Sequence, residues 1–105
     1  MLLIREIFYC QPGKVKPLIE KFHAMNRIGE RKGWPSMRLM TDLSGERYWT
    51  LVAEMEVESI DEFMNMMNTP DEDAKEFEEI MKDYHSLVQS GRREIYTIVA
   101  PEKSS

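Results

Sequence analysis

A chain of 105 residues with 42% hydrophobic and 31% charged side chains, and only five Pro and five Gly, has the length of one domain and the composition of an ordered globular protein. Its formal charge of −5 argues against a nucleic-acid partner, which needs a basic patch or stripe, and no apolar run approaches the roughly 18–20 residues that span a bilayer. Cys10, the single cysteine, can form no disulfide within the chain, which fits a cytoplasmic protein and a buried strand thiol.

The opening MLLIREIFYC carries an early Arg and Glu and no small-residue cleavage site, so a strand over Leu2–Cys10 is expected there, not a secretory signal. Gln11-Pro12-Gly13 breaks it. Val15, Leu18, Ile19, Phe22, Met25 and Ile28 then recur at three-and-four spacing, one stripe of a helix. Pro17 is tolerated near its start, where a missing N–H is harmless. Gly33 ends it, and Arg27, Arg31 and Lys32 near its end suit the helix dipole.

Trp34-Pro35 leads into a second strand, Ser36–Asp42, and Leu43-Ser44-Gly45 turns into a third from Arg47. A three-residue hairpin loop places Gly last, in the left-handed conformation. That register sets Met40 against Tyr48 and Arg38 against Thr50. Trp49, Leu51, Ala53 and Met55 then form a floor beneath helices, and Arg38, Met40, Tyr48, Thr50, Val52 and Glu54 share the other face. Ser59-Ile60-Asp61-Glu62 is a capping box opening a short helix, with Ile60, Phe63, Met64 and Met67 inward. Thr69-Pro70-Asp71-Glu72 opens a longer one, with Pro at its first position and a stripe of Ala74, Phe77, Ile80, Met81, Tyr84, Leu87 and Val88. Gly91 ends that helix, Arg92–Ala100 is the last strand, and 101–105 is a polar tail that frays. The order is β-α-β-β-αα-β. It predicts one α+β domain over residues 1–100, a ferredoxin-like antiparallel four-stranded sheet with helices on one face. The bare face, with Met40, Tyr48 and Val52 on it, is too apolar for open water, and a symmetric second copy is the simplest cover.

The segment from Arg5-Glu6-Ile7-Phe8-Tyr9 through Pro12-Gly13-Lys14 to Phe22 resembles the opening of NIPSNAP-like proteins, of the dimeric α+β barrel superfamily that includes antibiotic-biosynthesis monooxygenases. The resemblance implies two protomers with sheets face to face and a cavity between each sheet and its helices. Heme-degrading members carry an Asn, Trp and His set. This chain has no Trp after Trp49, so His85 lacks the Trp companion and heme degradation is disfavoured. The fold itself supplies no activity.

Chemistry must come from particular side chains. Arg38 and Glu54 are the catalytic candidates: a guanidinium fork orients a carboxylate, phenolate or enolate, and a desolvated carboxylate accepts a proton. Tyr48 would hydrogen-bond a ligand oxygen, and Met40, Thr50 and Met64 would complete a binding set, with the Met-rich short helix as a lid. Against this stands a simpler reading, in which these charges pair across strands or across a dimer seam. Arg5 and Glu6 point to opposite faces, and without a turn to set register neither they nor Tyr96 can be assigned. His23 and His85 read as helix-flank histidines, and no metal or cofactor is expected. Pro12-Gly13-Lys14 lacks P-loop spacing. The expected function is a homodimeric protein binding a small, partly apolar organic ligand between sheet and helices. The alternatives are a cofactor-independent monooxygenase or isomerase of phenolic or enolic molecules, and a purely structural dimer.

Overall fold

The computed structural model describes residues 1–68 and 71–101, with side chains for all of these except 71–73. The Thr69-Pro70 half of the second capping box, the acidic side chains of Asp71, Glu72 and Asp73, and the tail beyond Pro101 lie outside the described residues. The order is β1 (Leu2–Cys10), α1 (Val15–Lys32), β2 (Arg38–Thr41), β3 (Thr50–Val57), α2 (Ile60–Met67), α3 (Asp71–Met81), α4 (Tyr84–Leu87) and β4 (Val88–Thr97). All strand pairs are antiparallel, in the order β2-β3-β1-β4, so the first and third strands are central as the ferredoxin-like plan requires.

The helices cover one face. Leu18 and Phe22 of α1 close over Cys10, Leu51, Ala53 and Leu87, and the Phe8 ring meets Phe22 at 5.1 Å and the edge of Tyr84 at 6.0 Å. A second cluster, Ile4, Val57 and Phe63, seats α2. Burying Leu18 and Leu51 completely is worth about 1.5–3 kcal/mol for each side chain. The α1 stripe is thus the main clamp on the sheet. Its end is a Schellman motif: Gly33, at φ 74°, donates its N–H to Glu30 O, and Trp34 donates to Gly29 O. The Ser59 cap of α2 forms as expected, its hydroxyl accepting from the Glu62 N–H at 3.1 Å, while the reciprocal bond falls one residue before the cap. Glu62 reaches back to accept from the Glu58 N–H at 2.6 Å.

Three expectations are corrected. First, the β2–β3 hairpin is not a three-residue loop. Arg38 lies opposite Glu54 and Met40 opposite Val52, a shift of four from the expected pairing, and 43–49 is a long crossing. The longer loop brings Arg38 against Glu54 and lets the Asp42 carboxylate accept the Thr50 N–H at 2.8 Å. Trp49 therefore does not floor the helices. It sits at φ 61°, rare for a bulky residue, and is 44% exposed.

Second, the long helix does not run to Gly91. It breaks at Asp83, φ 68°, and Tyr84–Leu87 forms one further turn before β4 begins at Val88. Gly91 is a strand residue beside Phe8, where a Cβ would lie 3.1 Å from Ile7 O. Close strand approach, not helix termination, explains this glycine. Third, α2 turns Phe63 and Met66 inward, while Ile60, Met64 and Met67 are exposed at 45%, 51% and 55%.

Candidate functional site

The register settles the residues that sequence left open. Arg5 faces Glu54 and Glu94 across β3 and β4, on the face away from the helices. Tyr96 is on that face too, opposite Leu3. Glu6 points to the helix side, where it pairs with Arg93, whose guanidinium lies 5.0 Å over the Phe63 ring.

On the open face the strands bring two transverse rows together. One is apolar: Met40, Val52 and Ile7 are successive cross-strand partners. The adjacent row is ionic: Arg38, Glu54, Arg5 and Glu94 follow the sheet order β2-β3-β1-β4. Glu54 is its centre, 8% exposed, with Oε1 accepting from Arg38 at 2.5 Å and Oε2 3.3 Å from Arg5 Nε. Arg5 also lies 4.0 Å from Glu94, Arg92 lies 3.3 Å from Glu94, and Arg92 reaches Glu46 of the crossing loop at 3.8 Å. Arg5 Nε is buried and makes no well-aligned hydrogen bond, so its contact with Glu54 is Coulombic. The hydrogen bond from Arg38 to Glu54, and the carboxylate's charge, hold that guanidinium still more firmly protonated than usual. A hydrogen bond to Glu94 pushes the Tyr96 phenol up.

This arrangement bears on the catalytic candidates directly. Both Glu54 oxygens face guanidinium groups, so neither is presented to a substrate proton. Arg38 is 73% exposed, and with Glu54 it lines an open recess of about 300 Å³ beside Leu3, Ser36 and Ile98. Tyr48, 86% exposed, has left the sheet face for the crossing loop. With Trp49, Lys16 and Ile19 it borders an open recess of about 670 Å³ at the start of α1. Met40 and Thr50 line a different recess, of about 400 Å³, between the crossing loop and the open face. Met64 is on a helix, on the other side of the sheet, and joins neither. The candidate set is therefore divided among four places. Arg5 is the member of the Arg5–Glu6 pair that joins this face, and Glu94, Arg92 and Arg47 join it without a signal in the sequence. Alternation along β1 and β4 shows which residues share a face, but only inter-strand pairing shows which face.

A separate recess does lie between sheet and helices, as a cavity of about 210 Å³ lined among others by Met25, Trp34, Met37, Met55, Phe63 and Met66. Asn26, its one amide, is already used: it donates to Met37 O at 3.1 Å and accepts from the Met37 N–H at 2.9 Å. Trp34 stacks on Phe77, with 6.3 Å between centroids, and closes one end. His23 is exposed, and His85 packs on Tyr84 at 5.3 Å. Among the described residues no group of three or more His, Cys, Asp or Glu could hold a metal, and no helix is long and apolar enough to cross a membrane.

Burial, with Asp42 nearby, pushes the Cys10 thiol above its ordinary range, and burial with Glu6 and Cys10 nearby does the same to the Tyr84 phenol. Both groups keep their protons to higher pH in the folded state than in the unfolded one. Stability is therefore intact below the ordinary thiol and phenol values and falls as pH rises through the folded ones. Urea midpoints should be level between pH 7 and 8 and fall steadily above that. Maleimide should label Cys10 at pH 7 only at the rate of unfolding. Rapid labelling of the folded protein would contradict the burial assigned to this thiol.

No protein-family model matches the chain, and no curated protein is a detectable relative. Solved structures do match over nearly its whole length. An uncharacterized NIPSNAP domain protein from Burkholderia xenovorans superposes with a TM-score of 0.72 at 12% identity, covering 99% of this chain and 100% of that one. A candidate antibiotic biosynthesis monooxygenase from Deinococcus radiodurans gives 0.71 at 7% identity, covering 100% and 99%. A NIPSNAP family protein from Agrobacterium tumefaciens gives 0.69 at 10%, covering 93% and 92%. At these identities the likeness shows the fold: the ferredoxin-like fold that NIPSNAP and monooxygenase-type proteins share.

Proposed function

We propose that the chain is a cytoplasmic homodimer of the dimeric α+β barrel type, joined through the open sheet faces, that binds a small, largely apolar organic molecule between sheet and helices without transforming it. The observation that carries the binding reading is the 210 Å³ recess with its thioether and aromatic wall. Flexible Met side chains reshape around an apolar guest, and the volume, below the roughly 300–1,000 Å³ of drug-sized sites, suits a single ring or short chain. Its described lining holds no titratable side chain, and the Arg38–Glu54 pair lies across the sheet from it. That separation favours binding over proton transfer. The dimer reading rests on the apolar row Met40, Val52 and Ile7 lying on a face that no helix covers.

Methyl-labelled methionine spectra test the ligand reading. Titration with p-cresol and cyclohexanone should move Met25, Met37, Met55 and Met66 and leave Met40 still, and the compounds should be recovered unchanged. Turnover of either compound would overturn the binding reading in favour of the monooxygenase or isomerase alternative. Light scattering at micromolar concentration should give twice the chain mass, and a monomer would remove the dimer.

A further inference from the structure

The recess of about 400 Å³ between the crossing loop and the open sheet face has the size of a small-molecule site. Its floor is the apolar row Ile7, Met40 and Val52. Its rim carries Arg47, whose guanidinium lies 4.4 Å over the Tyr9 ring and donates to Gln89 Oε1 at 2.9 Å. Gln89 is itself anchored, donating to Gln11 Oε1 at 3.2 Å.

Every other guanidinium of this face meets a carboxylate: Arg38 and Arg5 at Glu54, Arg92 at Glu94 and Glu46. Arg47 is held by a neutral amide and an aromatic ring, and no ion pair joins it to a carboxylate among the described residues. These contacts fix its orientation without neutralising its charge. Of the two acidic side chains in the wall, Glu46 lies 3.8 Å from Arg92, and Asp42 is turned to the Thr50 N–H, which it accepts at 2.8 Å and which leaves its charge in place. An oriented, uncompensated guanidinium beside an apolar floor is suited to one kind of guest, an anion with a hydrocarbon body.

We propose that this recess binds a small organic carboxylate, its carboxylate on Arg47 and its apolar body on Ile7, Met40 and Val52. The recess is lined by one protomer, and its floor is the row that the proposed dimer would cover, so the titration is read together with the oligomeric mass at each point. This site is also distinct from the recess between sheet and helices, with Met40 as its own reporter.

The test is calorimetric titration of the full chain with 4-phenylbutyrate, 4-phenylbutanamide and inorganic phosphate, paralleled by methyl-labelled methionine spectra. The carboxylate should bind with a Kd of about 1 mM or tighter and move Met40 rather than Met66. The amide should bind at least about ten-fold more weakly, the factor set by losing one charge-assisted hydrogen bond. Arg47→Gln should weaken the carboxylate by at least about ten-fold at unchanged oligomeric mass, with Arg47→Lys intermediate because it keeps the charge and loses the fork. Val52→Phe, which narrows the floor, should weaken it as well, compared at equal oligomeric mass. The site is overturned by equal affinity for acid and amide, by an unchanged Kd in Arg47→Gln, by phosphate binding as tightly as phenylbutyrate, by shifts at Met66 in place of Met40, or by no binding to about 10 mM, ten-fold weaker than expected.

Discussion

Glu54→Gln is expected to lower stability by about 3 kcal/mol, the low end of the 3–5 kcal/mol for breaking a buried ion pair, because both partner guanidiniums reach water. The carboxylate is buried between Arg38 and Arg5, on the two central strands' shared row. An amide in its place keeps the shape and removes the charge. Among the described residues, Arg5 then keeps the 4.0 Å contact to Glu94 as its ion pair, and Arg5 Nε remains buried without a good acceptor. At about 4–8 °C per kcal/mol for a domain near this size, Tm should fall by roughly 12–24 °C. Arg38→Gln should cost far less, since Arg38 is mostly in water and screened. The double variant Glu54→Leu with Arg5→Met should recover much of the loss, because it removes the unpaired charge as well as the pair. Urea unfolding at low and high salt is the measurement. A loss in Glu54→Gln below about 0.5 kcal/mol, the range of ordinary surface substitutions, would show that the ionic row does not hold the sheet together. A loss that vanishes in 1 M salt would show the pair to be a surface one.

The hairpin shows what alternation in a sequence does and does not determine. Gly45 suggests a short loop, yet the observed pairing is displaced by four residues. An even displacement leaves every side chain on its expected face. Arg38, Met40, Thr50, Val52 and Glu54 are therefore still on one surface, opposite Leu39, Leu51 and Ala53. What changes is who meets whom. Arg38 meets Glu54 instead of Thr50, and Tyr48 and Trp49 leave the sheet. A tertiary gain, the Arg38–Glu54 contact together with the Asp42 carboxylate on the Thr50 N–H, outweighs local turn chemistry. The last helix fails differently. Tyr84 and Leu87 pack into the core as the helical stripe predicts, but a left-handed residue at Asp83 resets the chain before them. A three-and-four pattern reports burial and is silent on such a break. The faces of Arg5 and Tyr96 depend on pairing with β3 and β4, which no local pattern contains. The site was legible as a face and illegible as a set of contacts.

Val52→Lys is expected to convert the proposed dimer to a monomer while leaving the protomer folded. Val52 sits in the middle of the apolar row on the open face, flanked by Met40 and Ile7. It packs under no helix, so the protomer core of Leu18, Phe22, Leu51 and Leu87 is untouched. In a face-to-face pair each two-fold interface contains the substitution twice. Each new ammonium would lose water beside Arg5 and Arg38, with the nearest carboxylate, Glu54, already engaged by both. Two buried unpaired cations at no less than about 2 kcal/mol each weaken association by roughly a thousand-fold, enough to turn a micromolar dimer into a monomer at any practical concentration. In the monomer the same lysine reaches solvent past its neighbours, and a folded protomer costs little. Light scattering with circular dichroism separates the outcomes. Unit mass with native ellipticity is expected. A dimer that persists in Val52→Lys would place the interface elsewhere and leave the open face to the crossing loop and its recess.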